Sequence, residues 1–165
     1  MQIKRIIRHL LCPPGRVRRA FSDAGLKAIE SAIQAAEAAH GGEIHVALEG
    51  ALHGGALLNG LSAQARALDL FASLHVWDTD ANNGVLIYVL LADRAVEIVA
   101  DRHIHSQVGD AIWAEIVTRM QQALSRSAYQ EGVLVGVQGV SEVLARHYPV
   151  AKPGGNRVPD RPTIL

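Results

Sequence analysis

With 165 residues, 49 % of them apolar, and sixteen basic against sixteen acidic side chains, the chain can build one domain with a proper core and is too short for two of ordinary size. This composition excludes a disordered protein, and a single cysteine, Cys12, excludes an internal disulfide or a cysteine-rich zinc site. The zero net charge hides a segregation: residues 1–20 hold six basic side chains and no acid, whereas residues 21–149 hold seven basic and fifteen acidic ones.

The basic N-terminal arm, residues 1–20, opens with a stretch in which Ile3, Ile6, Ile7, Leu10 and Leu11 fall on one helical face. It is too short to span a bilayer and lacks the long apolar region and cleavage site of a secretory signal, so a cytoplasmic protein is expected. The simpler reading of the arm packs its apolar side on the domain or on a second copy. The sharper one is peripheral contact with a membrane through anionic lipid; with an acidic body behind the arm, no nucleic acid partner is expected.

Pro13-Pro14-Gly15 separates the arm from a domain over residues 21–149. Ser22 or Asp23 can cap a helix with Leu26, Ile29, Ile33 and Ala36 at helical spacing, which Gly41-Gly42 stops. From Glu43 to Glu49 apolar residues alternate with others, which predicts a strand with one less buried face. Gly50 to Gly60 reads as a glycine-rich loop carrying His53. Ser62 caps a second helix whose apolar positions are Ala65, Leu68, Phe71 and Ala72. Then comes a polar loop, Asp78 to Gly84, and a continuous apolar run, Val85 to Ala92, of the kind that forms a buried central strand. Asp93-Arg94 turns the chain into a second strand, Ala95 to Ala100, and so short a connection joins only antiparallel neighbours. A third helix is expected to begin within Ser106 to Asp110. A fourth runs from about Ala128 to Tyr148, with Gly132, Gly136 and Gly139 letting it lie close against the sheet. Residues 150–165, rich in proline and glycine, read as a disordered tail.

The hairpin returns Asp101 to the side of the polar loop. One sheet edge then collects Glu43, Asp78, Asp80, Asn82, Asn83 and Asp101, with His103 and His105 alternating on an extended segment beyond. Carboxylates and amide oxygens grouped in this way suit a hard divalent cation, calcium or magnesium. The ligands must come from across the fold: Asp78, Asp80 and Asn82 imitate the start of a calcium-binding helix-loop-helix loop, but its glycine falls one position late and its twelfth position is Val89. The same residues also read as ordinary turn formers and caps. A second candidate is the opposite edge, Glu49 to Gly60 with His53, Gly54 and Gly55, where ligands commonly sit beyond parallel strands. Nucleophilic catalysis has little behind it, since Cys12 has no identifiable base.

Asn83-Gly84-Val85-Leu86-Ile87, the hairpin into Val96-Glu97-Ile98, and Tyr129-Gln130-Glu131-Gly132 before a glycine-spaced helix together resemble the TPM domain family over about Phe21 to Tyr148. The arm and the segments 76–94 and 96–101 are similar to a short bacterial branch of that family, whose members tend to be encoded near a LemA-type membrane protein. The resemblance implies an α/β/α sandwich, three layers around a small mixed sheet; some relatives are credited with acid phosphatase activity and some with calcium binding. One departure is His103, where relatives commonly carry glycine.

Three functions are therefore open. The first is an accessory module that binds calcium or magnesium through Glu43, Asp78, Asp80, Asn82, Asn83 and Asp101 and supports a membrane-associated partner, such as a LemA-type protein. The second is a metal-assisted phosphomonoesterase using Asp78, Asp80 and Asp101. The third is a purely structural interaction domain.

Overall fold

The computed structural model of the protein describes residues 2–149 and 158–165. Along the chain the elements are α1 (Gln2–Leu10), α2 (Arg16–Ala20), α3 (Asp23–Ala39), β1 (Glu43–Glu49), α4 (Gly54–Leu58) and α5 (Ala63–Ser73). They continue with β2 (Gly84–Leu90), β3 (Ala95–Ala100), α6 (Arg102–Val108), α7 (Asp110–Ser125), α8 (Tyr129–His147) and β4 (Thr163–Ile164). The sheet has the order β3-β2-β1-β4; β1 is parallel to β2 and β4, and β2 is antiparallel to β3.

Alternation along the strands sorts the apolar side chains into two layers. Ile44, Val46, Leu48, Val85, Ile87, Val89 and Val96 meet α3, α7 and α8. Ala47, Leu86, Tyr88 and Leu90 meet α4, α5 and Val158. The result is the expected three-layer α/β/α sandwich with a mixed sheet. All seven residues of β2 are buried, and at about 1.5–3 kcal/mol per fully buried large aliphatic side chain this strand is the centre of stability. Ser22 and Ser62 cap α3 and α5 as predicted, each hydroxyl accepting a backbone N–H at 3.0 Å.

Several expectations are corrected. Strand β1 has no open face: His45 and Glu49 are buried, His45 between the Pro159 carbonyl and the Thr163 hydroxyl (2.9 Å each) and Glu49 against Arg66 and the Tyr88 hydroxyl (3.0 and 2.7 Å). Helix α5 buries Ala63, Ala67 and Leu70, and leaves Leu68 exposed. The segment after β1 is not all loop, since Gly54–Leu58 is a short helix. The glycines of α8 admit α7 rather than the sheet: a Cβ at Gly132 would meet Leu124, at Gly136 Met120, and at Gly139 Ile116.

The largest correction concerns the tail. Residues 150–157 lie outside the described residues, but 158–165 are tied to the domain. Val158 is buried and donates its N–H to Glu43 (2.7 Å), β4 pairs with β1, and the Leu165 N–H reaches the Leu48 carbonyl (3.0 Å). Thus β4 covers the edge that β1 would otherwise expose. The arm is corrected in part: α1 docks chiefly by its polar side, and of the expected apolar face Ile6 packs against the second core layer while Ile3, Ile7, Leu10 and Leu11 stay exposed. Arg5 and Arg8 each reach Asp93 of the β2–β3 turn at 2.8 Å, and Arg5 also donates to the Leu61 carbonyl.

Candidate functional site

The fold-back expected from the short hairpin is present. Glu43 stands opposite Gly84, Val85 opposite Ala100, and the Asp101 N–H donates to the Gly84 carbonyl at 2.9 Å. The amino end of β2 and the carboxyl end of β3 therefore share one rim. Gly84 is required there by close approach, because a Cβ on it would run into the Val76 carbonyl.

At this rim an open cleft of about 700 Å³ is lined by Phe71, Trp77, Asn82, Asp101, Arg102, His103 and Ser106. The Trp77 ring is half exposed, and its indole N–H donates to the Ala72 carbonyl (3.3 Å), which holds the ring as a wall. Asn82 takes a left-handed backbone conformation (φ 50°), which asparagine tolerates better than most residues. Asp101 caps α6, its carboxylate accepting the His103 N–H at 3.4 Å.

The predicted ligands divide. Asn82 and Asp101 both line the cleft. Asp78 and Asp80 are exposed on the loop leading to Asn82. Glu43 instead accepts the Val158 N–H. Asn83 is buried as a brace, its amide donating to the Gly41 carbonyl (2.9 Å) and its backbone N–H to the Thr79 hydroxyl (3.0 Å). Among the described residues no group of three or more histidines, cysteines or carboxylates is arranged to hold a metal ion. The described residues do not form a preformed protein cage for a metal ion. The donor set they do offer, one carboxylate and one amide beside exposed loop acids, is of the kind that binds a cation keeping most of its water.

The histidines are corrected as well. His103 and His105 lie on α6, which starts directly after β3, so they do not alternate on an extended segment. The His103 ring packs edge-on against Tyr148 (centroids 6.4 Å apart), and His105 pairs with Asp110 at 3.2 Å. Tyr148 was not singled out from the sequence. Burial, with the charge of Asp101 adding to it, pushes its hydroxyl above the ordinary tyrosine range, so it stays neutral beside the cleft. Trp77 was also missed. An aromatic residue directly before a polar loop was the available signal.

The opposite rim holds a smaller cavity of about 380 Å³, where His53 meets Cys12, Arg16 and Arg18. Glu49 does not face it as a free acid, being held by Arg66 and Tyr88. The Cys12 thiol donates to the Gly50 carbonyl at 3.4 Å.

The TPM domain profile matches residues 18–143. Among solved structures, the chain is similar to the BA42 protein of the psychrophilic bacterium Bizionia argentinensis, at 28 % identity and a TM-score of 0.77, covering 88 % of this chain and 95 % of that one. The N-terminal domain of a P. gingivalis protein follows at 21 % identity and 0.64, covering 80 % and 82 %. The N-terminal domain of a Corynebacterium glutamicum protein, at 15 % identity and 0.54, covers 88 % and 80 %. The last two speak for the fold alone. No curated protein matches the chain.

Proposed function

The chain belongs to the TPM domain family, and on that footing we propose that it is an accessory binding module rather than a hydrolase. Its working surface is the rim cleft, which takes a hydrated divalent cation, calcium or magnesium, at Asp101 and Asn82, with Asp78 and Asp80 on the adjoining loop adding negative potential. The occupied cleft then serves a membrane-associated partner. The observation that carries this reading is the fold-back of Asp101 onto Gly84, which brings a carboxylate and an amide to a cleft walled by a held tryptophan.

A phosphomonoesterase would need a nucleophile beside a base, or several carboxylates gathered on metal. Asp101 is the one carboxylate among the residues lining the cleft, and the Ser106 hydroxyl donates to the His103 carbonyl rather than to a side-chain base. Hydrolysis has no comparable support.

Thermal melts in calcium, in magnesium and in chelator test the proposal. Either ion is expected to raise the melting temperature by about 2–4 °C at concentrations well above its dissociation constant, by mass action on the folded state. The rise should vanish in Asp101→Ala. Melting that ignores both ions, or a rise that survives in the variant, would sink the proposal.

A further inference from the structure

Helix α1 is docked with Ile6 against the second core layer and the rest of its apolar side outward. Arg5 and Arg8 grip Asp93, while His9, 1 % exposed, accepts the Leu52 N–H at Nδ1 (2.9 Å) and presents Nε2 to Asp93 at 3.0 Å. These contacts fix which side faces the domain. Ile3, Leu10 and Leu11 are 74, 73 and 76 % exposed, and Ile7 is 49 % exposed. Their spacing of i, i+4, i+7 and i+8 makes a single stripe. Helix α4 packs beside α1 and adds another exposed leucine, Leu58.

The charged side chains of the arm itself have one sign. Lys4 and the half-exposed Arg8 run along one flank, Arg18 and Arg19 are exposed on α2, and residues 1–20 contain no acid. The carboxylate that pairs with α1, Asp93, meets two guanidinium groups and His9. Against the opposing effect of burial, the hydrogen bonds from His9 and Arg5 hold it below the usual carboxylate range.

We infer that this stripe is a docking surface for an anionic lipid bilayer, on which α1 lies in the plane of the interface. An apolar stripe bordered by lysine and arginine has the two features that such a surface rewards: apolar side chains that enter the acyl boundary and cations that meet the lipid head groups. Nine residues make a helix of roughly 13 Å, far short of the ~30 Å core, so it rests on the bilayer and does not cross it. Two turns of exposed side chains fall well below the ~800 Å² per partner of a stable dimer, which argues against a second copy as the occupant. Because Asp93 already clamps the helix, binding needs no folding at the surface. This inference is independent of the rim cleft.

Flotation of the full chain with vesicles tests it, using pure phosphatidylcholine and phosphatidylcholine with about one third phosphatidylserine. The protein is expected to float with the anionic vesicles and not with the neutral ones, and to be released as salt rises toward ~0.5 M. The double variant Ile7→Ser with Leu10→Ser changes only exposed positions, and unchanged thermal melting confirms that it is folded. It is expected to lose about tenfold or more in partitioning, and Lys4→Glu to weaken it further. Failure to float with anionic vesicles, equal binding to neutral ones, or unchanged binding of the double variant would overturn the inference. So would a concentration-dependent dimer that the double variant dissolves, which would assign the stripe to a second copy.

Discussion

Glu37, on the buried side of α3, accepts the Ile44 N–H at 3.0 Å and lies beside Asp160 and Glu43. Burial pushes its carboxyl up to about 8 from an ordinary 4.5, against the lowering effect of the Ile44 N–H, and the charges of Asp160 and Glu43 add to the rise. The folded state therefore holds a proton that the unfolded chain releases between these two values. Stability falls as pH rises through that window, and the loss is complete above about 8. Glu37→Gln keeps the hydrogen bond and removes the charge. Denaturant unfolding is expected to show little difference from the parent near pH 5, and a variant more stable by about 1 kcal/mol near pH 9 once partial exposure is allowed for. A difference that stays constant across that range would contradict this origin. At the same scale, the place of Asp101 was legible because hairpin geometry is local. The roles of Glu43 and Asn83 were not, since their partners Val158 and Gly41 lie 115 and 42 positions away.

Among the elements, the join between the polar loop and β2 is the tightest. A methyl group at position 84 would press on the Val76 backbone, which cannot rotate away as a side chain can. Gly84→Ala is therefore expected to cost about 2–3 kcal/mol, read as a lowered denaturation midpoint with an unchanged slope. A cost under ~0.5 kcal/mol would mean that the loop yields freely, and the rim would then be no rigid scaffold for a site. Strand and helix periodicities revealed β1, β2, β3, α3 and α8 close to their observed bounds. Helix α6 was hidden because His103 and His105 carry no apolar period, and because Gly109 (φ 78°) separates it from α7. The stripe on α1 was visible, but its direction was not. Asp93, 85 or more positions away from the arginines that hold it, sets that direction.

For the whole molecule, the sheet order places two rims at opposite ends, one gathering Asn82, Asp101 and Trp77 and the other His53 with Arg16 and Arg18. The segregation of charge in the sequence survives folding only in part. Arg5 is turned in on Asp93, Arg8 pairs with Asp93 while staying half exposed, and Lys4, Arg18 and Arg19 remain exposed. The third layer of the sandwich was foreseen, but the part that residues 158–165 play in it was not, because composition reports local preference and these residues are held by side chains of β1. The rim cleft as a cation-responsive surface is best tested by following backbone amide shifts during a calcium titration. The expected result is a saturable set of shifts confined to residues 77–84 and 101–106, absent in Asp101→Ala. Shifts spread over the surface without saturation, or none at the rim, would contradict it.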